Sequence, residues 1–265
     1  MKKFFLWALV ALVSVGFVAC DNDDDDYPRY YSYVTVEKHE NRELTFRKDG
    51  GGRLYVDETY ADVGRLVEGD RLIVYYDTDD LVKAESATES ASYEIDLYGG
   101  RMVLTKNPVL ESKMDDEKEQ EIGDDPIFVR GAWYGGEYLN IRFATYYMPY
   151  GKSHFINLVA EDVEYDGTEL IVNLRHNGYD ELPGPGSSTL LSVGHSIVSF
   201  NLVNMLDEMG EDEFPAKIKL VWKEYKNNSS SETEIKTKEL GKFVPWSVEE
   251  KATKADYDTD EIVWE

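Results

Sequence analysis

The sequence predicts an all-β protein, an N-terminal OB-like β-barrel followed by a C-terminal immunoglobulin-like β-sandwich. Three observations predict it. Short runs of period-two alternation fill residues 30–108 and 126–245, turn signals separate the runs, and an acidic stretch over residues 109–125 divides the two regions. With 42% hydrophobic and 13% aromatic residues, the chain has enough apolar surface for two cores, which excludes global disorder.

The chain opens with a targeting signal, residues 1–19. Lys2 and Lys3 form a positive start, and Phe4 to Val18 is an uncharged apolar run, too short for the roughly 20 apolar residues of a spanning helix. Ala19 precedes Cys20, the single cysteine of the chain. The position resembles a bacterial lipobox, which implies that Cys20 is acylated and becomes the mature amino terminus. Phe17 and Val18 stand where that motif more often has a leucine and a small residue. The alternative is an ordinary secretory signal, but Phe17 at −3 conflicts with the small residue such cleavage needs. With its one thiol lipidated, the protein has no disulfide and must hold together by core packing.

Residues 20–29 read as an acidic tether. Asp21, Asn22, Asp23, Asp24, Asp25 and Asp26 form a charged run whose self-repulsion favours an extended spacer. The same run resembles the export signal that sends lipoproteins to the outer face of the outer membrane in anaerobic Gram-negative gut bacteria. The expected location is therefore an outer membrane lipoprotein facing the cell exterior.

In residues 30–108, Val34 and Val36 alternate with Tyr33 and Thr35, and Leu44 and Phe46 with Thr45 and Arg47. Gly50-Gly51-Gly52 reverses the chain into Leu54-Tyr55-Val56, and Gly69-Asp70 turns it into Leu72 to Tyr76. Tyr93 to Leu97 alternates, Gly99-Gly100 is read as a turn, and Met102 to Thr105 closes the set. Five or six short strands without a long helix suit an OB-like barrel. Residues 109–125 read as an acidic linker, with one helical turn as the alternative to an irregular tether. In residues 126–245, strands are predicted around Ile127 and Val129, Leu139 to Phe143, Phe155 to Val159, Leu170 to Leu174, Ile197 to Leu202, Ile218 to Trp222 and Ile235. Asp166-Gly167 signals a hairpin and Val203 to Met209 a short helix. About seven antiparallel strands suit a sandwich, and residues 246–265 read as a polar tail.

Several strings resemble the NigD-like lipoprotein family over nearly the whole mature chain. In the first half they are Tyr30 to Val36, Gly69-Asp70-Arg71-Leu72-Ile73-Val74 and Leu104-Thr105-Lys106. In the second they are Asp125-Pro126-Ile127, Ala132-Trp133, Gly135 to Asn140, His154 to Val159, Leu174 to Asn177 and Val198-Ser199-Phe200. The resemblance implies an OB-like domain and a β-sandwich behind a lipobox, with an immunity role suggested by the bacteriocin gene cluster that gives the family its name. It brings no catalytic residues.

Candidate chemistry is sparse. His154 falls in phase with Ile156 and Leu158, and His176 with Leu170, Val172 and Leu174 of the next strand. Both are expected to point inward, with Asp180 just beyond His176. The functional reading is a metal or acid–base site, and the structural alternative is a pair satisfied by backbone carbonyls or by Asn157 and Asn177. No HExxH, paired-cysteine or EF-hand spacing accompanies them, and no cofactor is expected. Ser192 and Ser196 flank His195 without a G-x-S-x-G elbow. Among the aromatics near one predicted hairpin, Trp133 fits the inward phase. Tyr138 and Tyr146 share the outward phase with Asn140 and Arg142, and these four form the candidate ligand face.

A net charge of −25 argues against nucleic acid and suits a basic protein partner or divalent cations. The expected partners are the membrane, through the lipid, and a protein or glycan. The leading expectation is a non-enzymatic surface lipoprotein. Two others stay open: a metal-dependent or hydrolytic envelope enzyme using His154 and His176, and a structural subunit pairing through an exposed strand edge.

Overall fold

The computed structural model describes residues 28–38, 44–78, 92–163, 165–179, 192–226, 232–241 and 250–251. The expected signal peptide, Cys20, the run Asp21 to Asp26, Asp180 and most of the expected polar tail lie outside these residues.

The first unit is a closed barrel of β1 (Tyr30–Lys38), β2 (Leu44–Lys48), β3 (Arg53–Thr59), β4 (Arg71–Asp77) and β5 (Tyr93–Met102). They pair in the order β1-β2-β3-β5-β4, and β4 returns to β1 through Tyr30↔Tyr76 to Thr35↔Arg71. Alternation explains the interior: Val34, Val36, Phe46, Leu54, Leu72, Val74, Tyr76, Ile95 and Leu97 pack into one cluster. In β4 the intervening Ile73 and Tyr75 are buried too. An uninterrupted apolar run marks a strand covered on both faces, and the second cover is the sandwich. Gly99-Gly100 does not turn the chain. It lies inside β5, beside a register shift between Tyr75 and Tyr76, so the strand bends and continues.

The second unit stacks two sheets. The strands β6 (Leu104–Lys106), β8 (Phe128–Gly135), β9 (Tyr138–Tyr147) and β12 (Ser192–Asn201) form one, in the order β6-β12-β9-β8. The strands β7 (Val109–Leu110), β10 (Phe155–Ala160), β11 (Glu169–Asn177), β13 (Lys217–Tyr225) and β14 (Thr233–Gly241) form the other, in the order β14-β13-β11-β10-β7. Leu139, Ile141, Phe143, Leu158, Leu170, Val172, Val198, Phe200 and Leu220 belong to the core between them. The expectation of purely antiparallel strands is corrected, because β6–β12, β7–β10 and β11–β13 are parallel.

The boundary at residue 108 also moves. Leu104–Lys106, expected in the barrel, pairs with Val198 to Phe200 of the sandwich. The acidic linker is ordered and docked rather than a tether. After β7 come a short 3-10 turn and α1 (Asp116–Ile122), capped by Asp115, which accepts from the Lys118 amide at 2.9 Å. The acids of its first turn suit the helix dipole. Arg175 bonds Glu119 and the Gly123 carbonyl, and Ile122 is buried. Gly123 ends the helix at φ 71°, where a Cβ would lie 2.7 Å from Cβ of Asn177. The helix α2 covers Val203–Met209 and contributes Met205 and Leu206 to the core. Finally β15 (Glu250–Lys251), inside the expected polar tail, pairs with Tyr30 and Tyr31 of β1.

Candidate functional site

The sandwich positions His154 and His176 side by side. His176 lies at the end of β11, and His154 directly precedes β10, whose Phe155 pairs with Asn177. The His176 Nδ1 lies 3.1 Å from the Pro126 carbonyl and must donate to it. That leaves Nε2 as an acceptor for Nδ1–H of His154 at 3.0 Å, with the Thr145 hydroxyl at 3.4 Å. His176 is 1% exposed, and burial with the neighbouring His154 lowers its pKa to about 4. At neutral pH it is uncharged, and its acceptor nitrogen is already engaged. Asp125 supports the region by accepting from the Gly178 amide at 2.8 Å. Among the described residues, no group of three or more His, Cys, Asp or Glu is placed to hold a metal ion. The expected pair is therefore brought together, as a hydrogen-bonded pair in which His176 is buried and His154 half-buried.

The candidate ligand face is corrected. Tyr138, Asn140, Arg142 and Tyr146 do lie opposite the core-facing Leu139, Ile141 and Phe143 of β9. The barrel covers much of that face, however. Tyr138 is 4% exposed and Asn140 fully buried. Arg142 lies over the rings of Tyr33 and Trp133, and Tyr146 packs against Phe128 and Tyr225. Burial raises the pKa of the Tyr225 hydroxyl to about 12. Trp133, expected in the core, faces the barrel instead and lies against Tyr33 with ring centroids 4.6 Å apart. The cause is a bulge between Val129 and Gly131, which inverts the alternation so that Ala132 and Tyr134 point inward.

The heart of this interface is polar. Asp49, in the β2–β3 turn, accepts from Arg71 through both oxygens at 2.6 and 2.9 Å, from Asn140 Nδ2 at 2.9 Å and from Trp133 Nε1 at 3.1 Å. Arg71 also donates to Thr35 at 3.1 Å and to Asn140 Oδ1 at 2.9 Å, and its guanidinium lies over the Tyr138 ring. Ser199 completes the set, donating to Asn140 Oδ1 at 2.6 Å. Gly135 permits the approach, since a Cβ there would stand 3.1 Å from the Asp49 carbonyl oxygen. Sequence reading missed Arg71 and Asp49. The available signal was an arginine opening an otherwise apolar strand.

Among the described residues, exposed tyrosines gather on two surfaces. On the barrel, Tyr55 and Tyr60 are 40% and 60% exposed, and the Tyr60 ring lies 5.0 Å from that of Tyr98. Tyr55 pairs with Glu94 and Glu58 with Asp96 across β3 and β5. Desolvation raises the pKa of the Tyr60 hydroxyl, and the Glu58 carboxylate, which accepts from it, raises it further. Arg53, at the start of β3, is held by Glu37 at 2.7 Å. On the sandwich, Tyr147, Met148, Tyr150 and Val193 are exposed at one end.

Residues 110–237 match the NigD-like C-terminal β-sandwich domain. The fold is shared with solved structures, among them three from Bacteroides species. A protein of unknown function from Bacteroides vulgatus is 22% identical over 86% of this chain and 97% of its own, with a TM-score of 0.58. A proposed lipoprotein from Bacteroides fragilis is 15% identical over 80% of this chain and 97% of its own, with a TM-score of 0.55. A NigD-like immunity protein from Bacteroides caccae is 20% identical over 77% of this chain and 90% of its own, with a TM-score of 0.52. No curated protein matches the chain. Among the described residues, no helix is long and apolar enough to cross a membrane.

Proposed function

From a chain that carries a NigD-like carboxy-terminal β-sandwich domain, we propose a non-catalytic, lipid-anchored envelope protein whose barrel recognises a basic segment of another protein. The observation that carries this reading is the exposed β3–β5 face, where Tyr55, Tyr60 and Tyr98 are interspersed with Glu58, Glu94 and Asp96. Exposed tyrosines supply flat contact area at low entropic cost. The carboxylates between them, in a chain of net charge −25, favour Lys- or Arg-rich partners and speed their encounter. OB-like barrels that bind nucleic acid pair such rings with basic grooves, and here the charge is reversed.

Occupying a basic antibacterial protein at the cell surface would be an immunity function, the word carried by the Bacteroides caccae neighbour. The engagement of both His176 ring nitrogens supports a role without catalysis. The lipid anchor rests on Cys20 behind its apolar leader.

The test is cross-linking on intact cells with the mature protein and with a triple variant, Glu58→Gln, Glu94→Gln, Asp96→Asn. Basic proteins captured by the parent and lost in the variant are the expected result. Equal capture by both, or retention of polysaccharide instead, overturns the reading.

A further inference from the structure

We infer that the end of the sandwich built by residues 147–152 and the start of β12 is the face that rests on the lipid surface holding the acyl chains. This rests on the anchoring half of the proposed function and is independent of the basic partner.

The direction of the chain is the first argument. Thr35 of β1 meets Arg71 beside Tyr138 and Asn140, Tyr33 meets Trp133 and Arg142, and Tyr31 joins the cluster containing Ile197, the residue paired with Arg142. Followed backwards from Thr35 to Tyr31, β1 therefore climbs the interface in the direction that β9 takes from Tyr138 to Tyr147. The start of the described chain leaves the fold toward the 147–152 end. From the level of Arg142 to Tyr147, β9 advances about 17 Å at roughly 3.4 Å per residue. The segment from Cys20 to Pro28 spans at most about 28 Å, so the tether is long enough for that end to reach the surface and short enough to keep it close.

The chemistry of this end is the second argument. Tyr147, Met148, Tyr150 and Val193 are exposed, with Lys152 among them, over the Tyr179 ring. Residues 138–160, which include the whole 147–152 turn, contain no Asp or Glu, although 53 of the 265 residues are acidic. The acids of α1 sit further back, where Glu119 meets Arg175 and the Glu121 carbonyl meets Asn177. Because Asn177 pairs with Phe155, residues 148–153 project beyond them. Tyrosine, methionine and lysine suit the boundary between headgroups and acyl chains, and the turn itself carries no acid to be repelled by anionic headgroups.

The third argument is the backbone. The turn closed by the Gly151 amide on the Met148 carbonyl holds Tyr150 at φ 80° with its side chain fully exposed. A non-glycine residue in that conformation is uncommon, and here it presents a ring outward.

Since the lone native cysteine is the one acylated, a new cysteine can carry a single polarity-sensitive label. Lipidated mature protein bearing Tyr150→Cys, Met148→Cys or, as a control on the barrel, Tyr60→Cys is placed on vesicles of phosphatidylethanolamine and phosphatidylglycerol. The labels at 150 and 148 are expected to shift to the blue and to lose iodide quenching several-fold, while the label at 60 stays water-like. Adding Tyr150→Asp should return the label at 148 toward water. If the protein sediments with vesicles and all three labels quench alike, the inference is overturned and the anchor stands. If it does not sediment, the anchor itself fails, and the inference with it. Labels at 148 and 150 that are open on vesicles but shielded on cells assign this end to another macromolecule, which also overturns the inference.

Discussion

Replacing Asp49 by alanine should destabilise the whole protein, because it strands a charge that has no other outlet. The side chain of Arg71 is 0% exposed and that of Asp49 8%, so neither is rescued by water. Arg71 would lose both bonds to the carboxylate, and Trp133 and Asn140 would each lose an acceptor. The Arg71 Nε already lacks a partner. Removing one member of a buried ion pair costs about 3–5 kcal/mol, which for a chain of this size lowers Tm by roughly 10 °C. Thermal unfolding followed by circular dichroism and by tryptophan fluorescence measures it, and Trp133 reports on the interface directly. The double variant Asp49→Leu with Arg71→Met should recover more than half of the loss, since no charge is then buried alone. An Asp49→Ala protein melting within a degree or two of the parent would refute the claim that this barrel pair, through Trp133 and Asn140, holds the sandwich.

Three further outcomes are expected. His176 has a folded pKa of about 4 against 6.5 for the free imidazole, so its contribution is complete above pH 6.5 and is lost as the pH falls toward 4, by at most about 3 kcal/mol. Urea midpoints of the parent and of His176→Asn should converge over that window, and parallel profiles would contradict the assignment. Gly123→Ala, at φ 71° and against Asn177, should cost more than about 1 kcal/mol and raise amide exchange in α1 before the rest of the sandwich. Cys20→Ala should move the protein out of the membrane fraction and abolish fatty-acid labelling of the chain.

Strand alternation made much of the fold legible, since residues on one phase share a core whatever their partners. The uninterrupted Leu72 to Tyr76 run carried a further message, burial on both faces, and α2 falls where its sequence predicts it. What alternation cannot supply is the identity of the cover. Tyr138 and Asn140 fall on the side of β9 that their phase predicts, but nothing local says that a second unit lies over them. A bulge is equally silent, and one extra residue before Gly131 is enough to send Trp133 to the opposite face. The acidic α1 was legible as charge and as one possible helical turn, but its docking was not, because that depends on Arg175, remote in sequence. Phase alone places His154 and His176 together, while the partner that sets their chemistry, the Pro126 carbonyl, carries no sequence signature.

The passage between the two units bears on how the molecule can be dissected. β5 ends at Met102 and β6 starts at Leu104, so the connection is the single buried residue Val103. A fragment begun at residue 110, where the family match starts, would lose β6 and Val109 of the two-residue β7, which removes one neighbour of β12 and halves the pairing of β7 along β10. Bare amides along those strands are templates for self-association. Such a fragment should precipitate on expression, whereas one begun just ahead of Leu104 keeps both margins sealed.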